Sequence, residues 1–342
     1  MAILHLENFA KIKNSDFDIQ DITVFAGKPG TGKSYIMKML FAMNDAITYN
    51  HPDNDKSFSN LNKLENNSDD MIDKIFEELP NLYKNSLTSI FGELNQIGDN
   101  FKINIGDVNL EYKNNKLITK YNKKSEDNIL SNNNIFVETP LILEFYKFMD
   151  KTPFKTPHHI ESLMNILKED YSPTDEEQDK FIENFVIKTQ SIINGNIKNE
   201  GQGFSFTNND NKRFDIVNAS SGIKSIGLLQ YLVTNKALKK GSVLFWEEPE
   251  VHLHPSWQLK MVDLFIELMD AGVKIVFSTH SPFMADYLNA KAKRENFSKR
   301  ISFNVLEEND GIVKNTILNE ENFTLLQSEL MDSFEDILWQ YL

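Results

Sequence analysis

The sequence contains no cysteine among its 342 residues, and this absence excludes several classes of protein. Without cysteine there is no disulfide framework, no thiol nucleophile and no cysteine-based zinc site. Long apolar runs are absent as well, since no segment approaches the roughly 20 residues that a bilayer-spanning helix requires. The first residues, MAILHLE, lack the basic and apolar regions of a signal peptide. We therefore expect a cytoplasmic protein with no membrane segment.

Basic residues are fewer than acidic ones: 36 Lys and Arg stand against 50 Asp and Glu, for a formal net charge of −14. Binding to nucleic-acid phosphates requires Lys and Arg that displace counterions, so the overall charge argues against a protein that coats DNA. A nucleic-acid partner is left open through a local basic groove at residues 291–294 together with Lys299 and Arg300. The alternative for these segments is a solvated helix end and loop.

The strongest motif is GKPGTGKS at residues 27–34, which fits G-x-x-x-x-G-K-[ST]. It follows the apolar run at residues 22–26 and precedes a helical pattern, as a P-loop between a strand and a helix does. The loop N–H groups and the helix N-terminus attract phosphate, the lysine reaches the β- and γ-phosphates, and the hydroxyl can coordinate Mg²⁺. The predicted ligands are therefore ATP and Mg²⁺. The predicted binding residues are Gly27, Gly30, Thr31, Gly32, Lys33 and Ser34, the last also as a metal ligand.

A second apolar run, at residues 243–246, ends in the two carboxylates of Glu247 and Glu248. A P-loop ATPase needs one acid at such a point to hold the Mg²⁺ shell and another to orient the attacking water. We assign Glu247 to the metal and Glu248 as the candidate general base. The alternative is a charged strand end followed by a proline turn.

Three further segments occur in a fixed order: NASSGIK at residues 218–224, EEPEVHLHP at 247–255 and IVFSTHSP at 275–282. With the P-loop they resemble the signature, the Walker B and D-loop segment, and the switch strand of ABC-type ATPases of the OLD and RecF/SMC-like group. Two positions depart from that group, because Pro29 stands where Asn is usual and Glu247 replaces the more common Asp. No Q-loop glutamine is assigned.

The resemblance implies roles and partners. Ser221 and Gly222 correspond to the Ser-Gly of the signature, and His280 to the histidine that senses the γ-phosphate. In this group the signature closes on ATP bound to the other protomer, so the resemblance implies a head-to-tail homodimer held together by ATP. No nuclease motif or long heptad run is visible, and the chain looks like a stand-alone ATPase subunit of a bacterial defence system, Septu-like, with a separate effector such as a nuclease.

Two alternative functions remain at this stage. A RecF-like repair ATPase would bind DNA directly, and the acidic composition argues against it. A transporter nucleotide-binding subunit is disfavoured by the stretch at residues 71–200 and by the EPEVHLHP segment. His252 and His254 also suggest a metal site, but a pair two residues apart is a poor zinc signature without further ligands.

The alternation of strand and helix patterns predicts an α/β fold. With the resemblance this is a P-loop NTPase of the ABC-type ATPase head, with a mixed, largely parallel sheet and an α+β insertion. We expect the first half of the core at residues 1–70, a helical and β insertion at 71–200, the second half at 201–300, and a C-terminal hairpin and helix at 301–342.

Local patterns predict several elements within these regions. A polar linker is expected at residues 50–70, and a helix from residue 71 is expected to end at Pro80 because proline disrupts a helix interior. Alternating residues predict a β-meander at residues 101–120. An apolar periodicity predicts a helix from about Ser221 to Leu238.

Overall fold

The computed structural model describes residues 2–48, 69–121, 133–149, 156–169 and 176–331. Contacts divide the chain into two compact units, a first unit of Met1–Asn134 with Asn296–Leu342 and a second unit of Ile135–Glu295. None of the helices within the described ranges combines the length and hydropathy that crossing a bilayer requires.

The strands are short. Those at residues 2–9, 101–105 and 108–113 alternate buried with more exposed side chains, as strands with one buried face do, whereas those at 22–27, 242–247 and 274–279 are almost wholly buried. In chain order the strands are β1 (Ala2–Phe9), β2 (Ile12–Ile19), β3 (Ile22–Gly27), β4 (Phe101–Ile105), β5 (Val108–Lys113), β6 (Lys116–Tyr121), β7 (Asn133–Val137), β8 (Gly195–Asn199), β9 (Phe204–Asn208), β10 (Arg213–Asp215), β11 (Ser242–Glu247), β12 (Lys274–Thr279), β13 (Ile301–Asn309) and β14 (Ile312–Ile317). The helices are α1 (Lys33–Thr48), α2 (Asp69–Phe91), α3 (Ile142–Met149), α4 (His158–Lys168), α5 (Glu176–Ile193), α6 (Ser221–Thr234), α7 (Pro255–Asp270) and α8 (Pro282–Arg294).

The described part of the first unit contains eight strands in the order β6-β5-β4-β1-β2-β14-β13-β3. The outer strands pair antiparallel, whereas β13 runs parallel to β3 and β14 runs parallel to β2. All six residues of β3 are buried, as expected for an apolar strand covered on both faces. The predicted meander is present, and its first strand, β4, pairs with β1.

Helix α2 corrects the prediction that Pro80 ends a helix, because it runs without interruption from Asp69 to Phe91 with Pro80 inside it. A proline in a helix interior costs about 3 kcal/mol through the lost hydrogen bond and the clash with the preceding turn. The residues that follow Pro80 offset this cost by packing. Tyr83 and Leu87 are buried, and the hydroxyl of Ser86 donates a 2.7 Å hydrogen bond to the backbone oxygen of Ala42 in α1.

The second unit contains the neighbouring strands β12, β11 and β7, the antiparallel sheet β10-β9-β8, and helices α3 to α8. Strands β11 and β12 are parallel, with Trp246 opposite Phe277 and Glu247 opposite Ser278. Because parallel strands end at the same edge, this register brings the residues after Glu247 beside those after Thr279. Helix α6 ends at Thr234 rather than near Leu238 as predicted, since Lys236 adopts a left-handed φ of 66° that stops the helix.

Some predictions fall on residues that are not described. The linker at residues 50–70 lies almost wholly outside the described ranges, as do residues 332–342 of the C-terminal helix. Residues 324–331 of that helix are helical. The domain boundaries at residues 70, 200 and 300 stay a prediction.

Candidate functional site

The P-loop connects β3 to α1, as the sequence predicts. Lys33 is buried, and its Nζ donates hydrogen bonds to the backbone oxygens of Gly27 and Lys28 at 2.8 and 3.0 Å. The hydroxyl of Thr31 donates to the same Lys28 oxygen at 2.9 Å. The loop is therefore held in a closed turn by its own residues, with Ser34 in the first turn of α1.

The loop fits a polyphosphate. Gly30 and Gly32 have φ values of 82° and 94°, and a Cβ built on either residue would meet no atom within 4 Å. The backbone therefore borders open space there, which allows close approach of a phosphate to its N–H groups. The N-terminus of α1 and the ammonium of Lys33 add positive potential.

Gly27 is required for a different reason. A Cβ on this residue would lie 2.3 Å from the backbone oxygen of Leu306 in β13, the residue opposite it in the parallel pair. Its φ of 136° is also in the region that favours glycine. Gly27 thus permits the close packing of the end of β3 against β13.

A cavity of about 350 Å³ lies beside the P-loop in the first unit. One wall is formed by Lys28, Pro29 and Thr31, and the other by acidic residues of the β13–β14 turn at 307–311 and by Glu329. Lys28 lies 3.9 Å from the carboxylate of Glu329. Carboxylates accept hydrogen bonds, so the acidic wall suits hydroxyl or amino groups better than phosphate.

In the second unit, Glu248 follows β11 in a left-handed conformation with a φ of 45°. A left-handed backbone conformation costs a residue that has a Cβ about 1–3 kcal/mol, and residues in this conformation cluster at functional sites. The N–H of Glu248 donates to both the backbone oxygen and Oγ of Ser278, each at 3.2 Å. These bonds hold the turn against the end of β12.

The structure brings together the two residues that the sequence predicts to be catalytic. His280 follows β12, and its Nε2 lies 3.2 Å from Oε1 of Glu248. The side chains of His280 and Glu248 are 30% and 42% exposed, so water can reach both. An imidazole that donates and a carboxylate that accepts can share or relay a proton in this geometry.

Glu250 also contributes to this part of the chain, and the sequence interpretation gives it no role. Its Oε1 accepts a 2.6 Å hydrogen bond from the backbone N–H of His280. Burial raises the pKa of the Glu250 carboxyl, and the hydrogen bond from His280 opposes that rise. The acidic turn EEPE was visible in the sequence, but which of its carboxylates faces the backbone depends on the fold.

The segment predicted to be the signature lies at the start of α6. Ser220 is the N-cap and accepts a hydrogen bond from the N–H of Ile223, and Ser221 is the first helical residue. A Cβ on Gly222 would lie 3.2 Å from the ring of Trp257 and 3.4 Å from Leu253. Gly222 therefore lies against Leu253 and against Trp257 of α7.

The metal alternative for His252 and His254 finds no support. His254 caps α7, accepting a hydrogen bond from the N–H of Ser256. His252 is exposed, with a left-handed φ of 68°. Within the described ranges, no group of three or more His, Asp or Glu side chains is arranged to hold a metal ion.

Most of the basic residues considered for a nucleic-acid groove are ion-paired. Lys291 contacts Asp263 at 2.7 Å, and Arg294 contacts its neighbour Glu295 at 2.8 Å. Arg300 contacts Asp21 at 2.8 Å. Pairing lowers the local positive potential that phosphate binding requires.

A strand–loop–helix P-loop unit in a mixed α/β sheet, followed by an acidic strand end, defines the class of P-loop ATPases. Within that class, the AAA ATPase domain family matches residues 41–285, well over half of the chain, and the chain belongs to this family. The match begins after the P-loop and extends past His280. This family match confirms the predicted activity, ATP hydrolysis. No curated protein sequence matches the chain.

Solved structures confirm the predicted fold class. A SMC head bound to the C-terminal winged-helix domain of ScpA is similar at a TM-score of 0.53 and 12% identity, covering 94% of this chain and 98% of that one. A Smc head domain with an extended coiled coil, bound to the C-terminal domain of ScpA derived from Pyrococcus furiosus, is similar at a TM-score of 0.51 and 11% identity, covering 96% and 100%. The fold is therefore that of P-loop ATPase heads of the SMC type.

Proposed function

We propose that this ATPase binds ATP and Mg²⁺ through its P-loop, hydrolyses ATP with Glu248 and His280, and uses the cycle to control a separate effector protein. The observation that carries the catalytic part is the 3.2 Å contact between Nε2 of His280 and Oε1 of Glu248. It joins two residues that lie 32 positions apart in the sequence.

The P-loop residues hold the phosphates. The backbone N–H groups of the loop and the Lys33 ammonium bind the β- and γ-phosphate oxygens. The hydroxyl of Ser34 and the carboxylate of Glu247 are hard oxygen donors of the kind that Mg²⁺ prefers. A bound Mg²⁺ would neutralise charge on the phosphates.

Glu248 acts on the attacking water. Its carboxylate accepts a proton as the water oxygen forms a bond to the γ-phosphorus, and the bond from that phosphorus to the β–γ bridging oxygen breaks, which releases ADP and phosphate. His280 donates a hydrogen bond to a γ-phosphate oxygen. Its contact with Glu248 keeps the side chains of these two residues next to each other. The left-handed backbone at Glu248 supports this assignment, because strain of this kind is retained where function requires it.

We further propose that two chains associate head to tail around ATP. Ser221 and Gly222 stand at the N-terminus of a 14-residue helix, where backbone N–H groups are available to a partner's γ-phosphate. ATP would then join the protomers, and hydrolysis would separate them.

Ser221→Arg tests this association. The variant should bind ATP as a monomer with unchanged affinity, because the P-loop is intact, but it should lose ATP-dependent dimerisation and most ATPase activity. The reason is steric, since the long side chain occupies the space of the partner's phosphate. Sedimentation velocity with and without ATP measures dimerisation. The matched control is Ser298→Arg at an exposed position, and normal dimerisation of Ser221→Arg would refute the signature assignment.

The effector is proposed to be a nuclease of a bacterial defence system. The support is an acidic ATPase, of net charge −14, in which no nuclease motif was found, together with the fold neighbours, whose heads are bound to domains of a separate protein. Affinity purification from the native host, with ATP or with ADP, should recover a nuclease in a nucleotide-dependent amount. Three results together would favour direct DNA repair instead: no protein is recovered, no effector gene lies nearby, and the isolated chain shifts DNA in a salt-dependent way.

A further inference from the structure

The turn that follows β11 is tied to the end of β12 by several contacts, three of which involve Glu248 or His280. The backbone N–H of Glu248 donates to Ser278, and the imidazole of His280 contacts the Glu248 carboxylate. The third contact is the 2.6 Å hydrogen bond from the backbone N–H of His280 to Oε1 of Glu250. Of these three, the third is the one made by the backbone of His280.

Glu250 is held in place by the turn in which it lies. The N–H of Val251 donates to the backbone oxygen of Glu248 at 3.0 Å, and the N–H of Leu253 donates to the backbone oxygen of Glu250 at 2.9 Å. Leu253 is buried, which anchors the turn to the core. The Glu250 carboxylate therefore projects from a rigid segment, and it can transmit the position of that segment to His280.

We infer that Glu250 is a positioning residue that sets where the His280 imidazole stands relative to Glu248. A backbone N–H bonded to a carboxylate is a charge-assisted hydrogen bond, stronger than a neutral one. Because His280 lies at the end of β12, just outside the strand ladder, this bond restrains its backbone where the ladder no longer does. The inference rests on the proposed catalytic roles of Glu248 and His280.

The effect of losing this restraint is estimated from the sensitivity of catalysis to geometry. Displacing a reacting group by about 1 Å can lower a rate by about 100-fold. The P-loop holds the phosphates through other residues, so ATP affinity does not depend on Glu250. Glutamine is a close substitute for Glu250 in this contact, because its amide keeps an oxygen that can accept the His280 N–H.

Two substitutions separate the hydrogen bond from side-chain size. Glu250→Gln keeps the acceptor oxygen, and Glu250→Met keeps the length without an acceptor. We expect Gln to retain kcat within about 3-fold and Met to lower kcat by about 10- to 100-fold, with KM unchanged in both. The control is Glu267→Met on α7, which removes an acid that pairs with Lys188. Equal kcat in the Gln and Met variants would overturn the inference.

Hydrogen exchange gives a readout that does not depend on activity. In the full chain, the amide of His280 should exchange faster in Glu250→Met than in wild type, while Glu250→Gln should keep its protection. Unchanged exchange in the Met variant would overturn the inference. If Glu250→Met does not fold, Glu250→Ala takes its place. The His280 amide should then exchange faster in Glu250→Ala than in Glu250→Gln, and equal exchange in the two variants would overturn the inference.

A double-mutant cycle distinguishes failure of this inference from failure of the proposed function. If Glu250 acts through His280, Glu250→Met should lower kcat little further in a His280→Ala background. Additive losses would overturn the positioning role while leaving both residues important. A His280→Ala variant with normal kcat would refute the proposed role of His280, and with it the inference, whatever Glu250→Met does.

Discussion

Glu248→Gln should lower ATP turnover by about 10²- to 10⁴-fold while leaving ATP affinity nearly unchanged. Glutamine keeps the size and the hydrogen bonding of the side chain but cannot accept the proton from water. The exchange also preserves the strained backbone, because both residues carry the same Cβ at a φ of 45°. Steady-state ATPase assays measure turnover, and calorimetry with ATP measures affinity.

The same variant should accumulate as an ATP-dependent dimer on size-exclusion chromatography, because hydrolysis is the step that separates the protomers. Glu267→Gln, on α7 of the same unit, controls for the loss of one acid and should behave as wild type. Normal turnover in Glu248→Gln would show that another group activates the water. Loss of ATP binding together with turnover would mean that Glu247 and Glu248 have been assigned the wrong way round.

Lys33→Ala should abolish measurable ATP binding. The substitution removes the ammonium that neutralises the β- and γ-phosphates, and charge-assisted bonds of this kind are about twice as strong as neutral ones. It also removes the donor to the backbone oxygens of Gly27 and Lys28, so the loop loses bonds worth about 0.5–1.5 kcal/mol each. Calorimetry with ATP is the direct measurement.

A matched substitution separates loss of the ligand contact from general loss of charge. Lys38→Ala removes a lysine further along α1 and should bind ATP as wild type does. Thermal unfolding followed by circular dichroism establishes that Lys33→Ala is folded at the temperature of the binding assay. Equal ATP affinity of Lys33→Ala and wild type would refute the assignment of residues 27–34 as the phosphate-binding loop.

Much of the local structure was predictable because its causes are local. The P-loop glycines, the apolar strand before them and the helical spacing after Lys33 are all contained within about 25 residues, and β3 and α1 form there. The meander at residues 101–120 follows from alternation and turn residues, with Asn114 and Asn115 both at positive φ. These elements depend on neighbours in sequence.

Predictions that depended on distant packing were less successful. Pro80 has a strong local tendency to end a helix, but α2 continues because the residues after it pack against α1. Similarly, nothing near residues 101–105 in the sequence indicates that β4 pairs with β1. Local propensity contributes little to the free energy of folding, so tertiary contacts override it where they contribute more.

The sequence by itself determined the chemistry available to this protein, because residue type and order are enough to locate a P-loop motif and an acidic strand end and to predict a signature and a switch histidine. Only the tertiary structure decided which of these groups meet. The parallel register that sets Glu247 opposite Ser278 brings Glu248 to His280 and turns Glu250 toward the His280 backbone. Such contacts depend on strand pairing between residues about 30 positions apart, which the residue pattern within either strand does not encode.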